Sequence, residues 1–186
     1  MSKKNGQWIL VERPTKMIEQ EHFEWHETEV KSPDSGEVLV RAIYLSLDPT
    51  NRGWMSHDTY LPKVPLGEVM RGIGIGIVEE SRHPEFQEGD LVQGLTGWQE
   101  YLITDGSGFQ KVETHPGVPL SAQLALLGHI GLTAYVGLLH IGEAKEGETV
   151  VVSAASGAVG SVAGQIARIQ GCRVVGITGG EEKCRH

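Results

Sequence analysis

The sequence predicts an α/β protein with a large β part: an irregular β-barrel domain, followed by a strand–helix–strand unit that opens a parallel sheet. Three observations predict it. From residue 1 to about residue 119, short strand-like runs are separated by Gly, Pro and Asp, the punctuation of an all-β domain. After Pro119 the apolar period lengthens to that of helices. Close to the end of the chain, an apolar run of strand length leads into a glycine turn and then an amphipathic helix.

In the β part, the expected strands cover residues 8–11, 37–44, 72–79, 91–95 and 101–104. Within 37–44, Val38, Val40, Ala42 and Tyr44 alternate with Glu37, Leu39, Arg41 and Ile43. The second face is only partly polar, which suits a strand of an irregular barrel. Gly and Ile alternate from Gly72 to Ile77, and Gly inside a strand marks a bend or a close backbone approach. A barrel corner is the expectation. Beyond Pro119, residues 121–127 and 133–140 read as helices, 149–153 as a buried strand, 158–170 as a helix and 173–178 as a second buried strand. In the last helix Val159, Val162, Ala163, Ile166 and either Ile169 or Gln170 form one apolar stripe, fit to cover a sheet. Such a unit needs a right-handed crossover onto a parallel sheet. Two strands and one helix cannot cover both faces of that sheet, so this domain reads as incomplete.

Composition narrows the partners. With 186 residues, 39% of them hydrophobic, the chain can bury a core. Its 25 Gly and 8 Pro, about 18% of the chain, fall below the ~25–30% of low-complexity sequences. Sixteen Lys and Arg against 24 Asp and Glu leave a net charge of −8, the wrong sign for gripping nucleic acid or an anionic membrane. Two cysteines, Cys172 and Cys184, make no disulfide framework, and the polar start carries no apolar signal core. A cytoplasmic location is expected. The uncharged stretches 114–142 and 149–167 are interrupted by Gly, Pro, Ser and His, so neither reads as a membrane span.

The glycine turn carries the chemistry. Ala155-x-Gly157-x-x-Gly160 follows a strand and opens a helix, the context that a dinucleotide fingerprint requires. Gly157 would let backbone approach a pyrophosphate, and Gly160 would let helix and strand pack closely. The free N–H groups at the helix start would face the phosphates. A tight turn with no ligand is the alternative. At the end of the second strand, an NAD-binding chain carries an acidic residue that takes the ribose hydroxyls. Here Thr178-Gly179-Gly180 stands in its place, followed by Lys183 and Arg185. Cations there suit the 2′-phosphate of NADP, although Glu181 or Glu182 could turn toward the ribose, and Lys183 could be an ordinary solvated lysine. NADP is the expected cofactor.

These residues resemble the zinc-independent branch of the medium-chain dehydrogenase/reductase superfamily, its prostaglandin reductase and leukotriene dehydrogenase members, and best the bacterial NADP-dependent curcumin reductase form. The resemblance rests on YLSLDPTNRGWMS at 44–56, GLTAYVGLL at 131–139, the glycine-turn segment 146–167 and GCRVVGITGGEEKCRH at 171–186. It implies a GroES-like substrate and catalytic domain over residues 1–125, then an incomplete Rossmann NADP-binding domain over 126–186. It also implies that Gly157, Ala158, Val159 and Gly160 contact the pyrophosphate, Lys183 the 2′-phosphate and Thr133 the nicotinamide carboxamide. Where the family carries an aromatic beside the substrate, this chain has Thr50, and Tyr60 stands where relatives often carry a tyrosine. A homodimer is implied as well.

The zinc ligands of the other branch are missing, since the corresponding segments read Ser46-Leu47-Asp48 and Gly67-Glu68-Val69. Cys184 and His186 alone make no site, so no metal is expected. The resemblance implies NADPH-dependent reduction of the carbon–carbon double bond of α,β-unsaturated ketones and aldehydes. Tyr60 is then the candidate catalytic donor to the substrate carbonyl, because a phenol stays protonated near neutral pH. An aromatic packing beside Pro62 and Pro65 is its alternative role. Trp54 and Met55 would line the pocket or simply pack. A quinone reductase of the same superfamily and a non-catalytic ligand-binding fragment are the competing readings, and these 186 residues alone are expected to bind NADPH weakly without measurable turnover.

Overall fold

A computed structural model describes residues 3–185. They divide into two compact units, the first ending at Glu113 and the second beginning at Thr114.

In the first unit β1 (Lys4–Leu10) pairs antiparallel with β2 (Phe23–Glu29). Five further strands, β3 (Val38–Leu45), β4 (Gly74–Ser81), β5 (Leu91–Gly94), β6 (Tyr101–Thr104) and β7 (Gln110–Lys111), form one antiparallel sheet in the order β6-β3-β4-β5-β7. Single bridges at Gln7–Gln99 and Ile9–Val69 stitch β1 to the segments beside this sheet. The expected barrel is therefore an open, irregular one. Its ladder ends at β7, only two residues long, and the β3–β4 register shifts at Leu39/Val40 and again at Ala42/Tyr44, the kind of irregularity that bends a sheet.

The Gly–Ile alternation is a close approach of the two bent strands. A β-carbon on Gly76 would lie 2.4 Å from Val40 Cγ1 and 2.7 Å from the Arg41 carbonyl oxygen. Only glycine fits there. The second face of β3 is only partly buried: Leu39 is inaccessible, as are Val38 and Val40 on the first face, whereas Ile43 is exposed. Sequence reasoning missed β2, whose residues FEWHETE are almost all exposed and show no apolar alternation to detect.

It also missed α1 (Pro49–Ser56), which separates β3 from β4. Asp48 and Asn51 cap that helix reciprocally, and Pro49 occupies its first turn, both helix-start signals. Its apolar side is core: Trp54 and Met55 pack with Leu10, Val64 and Met70, so the packing role wins for both. A second cluster, Val38, Val40, Val78, Phe86 and Val92, fills the five-stranded sheet.

Glu79 on β4 ties the N-terminal segment to the sheet. Lys3 Nζ hydrogen-bonds one carboxylate oxygen, and Arg41 Nε reaches the other at 2.6 Å. The Lys3 bond first, and then Arg41, hold this carboxyl below its ordinary 4.5 against the opposing effect of partial burial. A depressed carboxylate stabilises the fold above its unfolded value, and that contribution disappears as pH falls through the folded value. Glu79→Gln is expected to lower stability near pH ~7 by up to about 1 kcal/mol, the scale of a partly exposed ion pair. The variant should match the parent at pH ~3. Urea unfolding at the two pH values checks this; an equal loss at both would refute it.

The second unit opens with α2 (Leu120–Leu124) and α3 (His129–Tyr135), which runs on as a π-helical turn (Val136–Ile141). Then come β8 (Thr149–Ser153), α4 (Ala158–Ile169), β9 (Arg173–Ile177) and the short α5 (Glu181–Cys184). The strands β8 and β9 are parallel, with Thr149 opposite Arg173 and Ser153 opposite Ile177. The strand–helix–strand unit thus has the boundaries its sequence predicts to within one residue.

Its burial differs from expectation. All of β9 is exposed, only Val152 of β8 is buried, and Ile169, at one end of the predicted stripe, is 81% exposed. The buried residue of α4 is Ala167. The physical reason is that α4 shields one face of a two-stranded sheet, and no second layer covers the other face among the described residues.

Candidate functional site

The glycine turn is built by one backbone reversal. Leaving β8, the chain turns at Ala154, whose φ of 49° lies in the left-handed region. The Ala154 carbonyl accepts the Gly157 N–H at 2.8 Å. Gly157 then caps α4 in an extended conformation, with no side-chain cap. Ser161 N–H is the first to find its acceptor one turn back, the Gly157 carbonyl at 2.9 Å. The amides of Ala158, Val159 and Gly160 therefore have no protein acceptor among the described residues. Three donors stand at the positive end of the helix dipole, an arrangement that receives phosphate.

Gly160 is what lets the helix sit so close. A β-carbon there would lie 2.4 Å from the Ala154 oxygen and 3.0 Å from both the Ala154 carbonyl carbon and Ala155 Cα. All three atoms are backbone, so nothing can swing aside.

Beyond the carboxyl ends of β8 and β9 opens a cleft of about 270 Å³, lined by Ala155, Ser156, Gly176, Thr178, Lys183 and Cys184. That is where open α/β sheets take ligands. Its lining contains no carboxylate. Glu181 lies 3.4 Å from Arg185 across one helical turn, whereas Lys183 has no ion-pair partner among the described residues. The cleft therefore offers hydroxyls and an ammonium, a donor set suited to a dianion. Across its floor Ser156 Oγ and Thr178 Oγ1 hydrogen-bond at 2.7 Å.

Gly157, Ala158, Val159, Gly160 and Lys183 all lie in the second unit, and of these Lys183 lines the cleft. Thr133 lies on α3, which packs beside α4. Its hydroxyl donates to the His129 carbonyl at 2.6 Å, leaving its oxygen lone pairs to accept. Tyr60 and Thr50 belong to the first unit. Thr50 is half-buried on α1, one turn before Trp54. Tyr60, 77% exposed, sets its ring edge-on to Trp54 at 6.2 Å and 78°. Its hydroxyl has no partner among the described residues. Sequence reasoning did not single out Ser156 and Cys184 as cleft residues. Ser156 was findable as the variable position between the first two fingerprint sites; the four-residue helix that carries Cys184 gave no signal.

Among the described residues no group of three or more His, Cys, Asp or Glu converges on a metal position; His186 lies outside them. No helix is long and apolar enough to cross a membrane.

Residues 6–112 match the family model described as the N-terminal domain of oxidoreductase. The chain belongs to that oxidoreductase family. Its relatives extend the likeness into the second unit, in keeping with the medium-chain dehydrogenase/reductase resemblance. The chain is 50% identical over 184 residues to the NADPH-dependent curcumin reductase of Escherichia coli (strain K12), a match covering 98% of this chain and 53% of that protein. It is 46% identical over 164 residues to prostaglandin reductase 1 of Mus musculus, covering 87% and 48% respectively. The crystal structure of CurA in complex with NADPH from Vibrio vulnificus superposes with a TM-score of 0.89 at 47% identity, over 97% of this chain and 53% of that one. This oxidoreductase chain spans about half the length of the curated relatives it matches.

Proposed function

We propose that this chain carries the phosphate-gripping part of an NADPH-dependent reductase acting on the carbon–carbon double bond of α,β-unsaturated ketones and aldehydes. The observation that supports it most is the turn at 154–160: three free amides at a glycine-cradled helix start, beside a carboxylate-free cleft containing Lys183. The residues present fit the cofactor. Ala158, Val159 and Gly160 hold the pyrophosphate through their N–H groups, Gly157 gives it room, and Lys183 takes the 2′-phosphate. Thr133 accepts a carboxamide N–H with the lone pairs its helix bond leaves free. In this reading residues 126–186 are the NADP-binding part and residues 1–125 the substrate part.

When bound, the dinucleotide would supply the hydride that reduces the enone at its β carbon. The protein's work is geometry and charge. Tyr60, whose phenol has no partner among the described residues, donates to the substrate carbonyl and steadies the negative charge that develops on its oxygen. The α carbon then takes a proton from solvent. Thr50, half-buried on α1 where relatives carry an aromatic, belongs to the substrate pocket in this reading.

The test is NADPH oxidation by the whole protein carrying this segment, with an aliphatic enone and a quinone as competing acceptors. Faster turnover of the enone, with NADPH preferred over NADH, is the expected result. Faster turnover of the quinone would replace this reading with a quinone reductase. Oxidation of neither acceptor would leave a ligand-binding segment.

A further inference from the structure

We infer that Ser156 and Thr178 act as one hydroxyl clasp that selects the 2′-phosphorylated dinucleotide, working beside Lys183. The inference rests on the NADP reading above and extends it to two residues that the fingerprint does not specify.

The two hydroxyls come from different loops. Ser156 sits inside the glycine turn, and Thr178 directly follows β9. Their 2.7 Å bond spans 22 residues of sequence and joins the glycine turn to the loop after β9. Each hydroxyl owns one proton and accepts through its lone pairs. The shared bond uses one proton. The other O–H has no partner among the described residues, and both side chains line the cleft with Lys183.

The clasp therefore presents one spare donor, polarised by the hydrogen bond behind it. Aimed at an anion, such a donor gains from charge assistance, which a neutral ribose hydroxyl does not provide. It also fixes where β9 ends relative to the turn, so the distance between the pyrophosphate amides and Lys183 is held before ligand arrives. Thr178 occupies the place where an NAD-binding chain puts its carboxylate. Replacing an acceptor-only group by a donor reverses the preference of the site, from a ribose that donates to a phosphate that accepts. Ser156 and Thr178 are positioning and specificity residues in this account.

Two probes that differ only in the group at issue test it: adenosine 2′,5′-bisphosphate and adenosine 5′-phosphate, titrated calorimetrically into the whole protein carrying this segment. The wild type is expected to prefer the 2′-phosphorylated probe by at least about tenfold. Ser156→Ala and Thr178→Val should each reduce that ratio by roughly three- to tenfold, and Thr178→Ser should restore it. Because the two residues form one device, the double variant should lose no more than either single one. A ratio of two affinities on one preparation is insensitive to partial loss of folded chain. Unchanged ratios in both single variants, or losses that multiply in the double variant, would overturn the clasp and leave the NADP reading standing. A wild type with no preference for the 2′-phosphate would overturn that reading, and the clasp with it.

Discussion

Gly160→Val is expected to remove most of the affinity for NADPH while leaving the first unit folded. The β-carbon of the new side chain alone would come within 2.4 Å of the Ala154 carbonyl oxygen, with two more backbone atoms at 3.0 Å. Contacts of that kind are relieved only by moving α4 away from the turn. Overpacking at a tight site costs about 1–3 kcal/mol, and the displaced helix start carries the three amides with it. The loss of affinity should reach about ten- to a hundredfold, in step with that cost. Gly160→Ala separates the two consequences. Alanine recovers about 1 kcal/mol of helix propensity, so its thermal midpoint should fall less than that of the valine variant, while its binding still suffers from the shifted amides. Calorimetric titration with NADPH beside thermal unfolding distinguishes them. Wild-type affinity in the valine variant would show that the turn grips nothing.

Lys183→Glu should convert a cofactor preference rather than abolish binding. The ammonium stands on the wall of the cleft with no carboxylate among the described residues to neutralise it. An added phosphate gains a charge-assisted bond there, and the reversed charge replaces that gain by repulsion. Lys183 is exposed, so salt and water screen the interaction. A fall of roughly ten- to thirtyfold in NADPH affinity at low ionic strength is expected, shrinking as salt rises, with NADH changed by less than about threefold. Equal losses for both cofactors would place Lys183 away from the 2′-phosphate.

The strand–helix–strand unit was legible because its signals are local. An apolar run, Gly157 and Gly160 at fingerprint spacing and a 3.6-residue stripe specify β8, the turn and α4 without help from distant residues. The prediction that its strands are buried failed because burial is a property of neighbouring layers, and the described chain supplies one layer only. In the first unit β3 to β6 were readable from alternation and turn residues. The strand β2 was not, since it is held by its ladder with β1 and shows polar side chains on both faces. Asp48 and Pro49 do announce α1, one as its N-cap and the other as its first-turn proline.

What the sequence determined by itself is local: a glycine turn at 157–160, the absence of a carboxylate at 178–180, and a helix that begins at Ala158. Spacing along the chain is enough for that, because turns and helix starts are made by residues within a few positions of one another. What only the tertiary structure decided is which distant groups meet. The left-handed turn at Ala154 that presses a carbonyl against Gly160, the hydroxyl pair of Ser156 and Thr178, and the pairing of Arg185 with Glu181 all depend on atoms approaching in space. Sequence spacing cannot encode those distances; only the packing of β8, α4, β9 and α5 sets them.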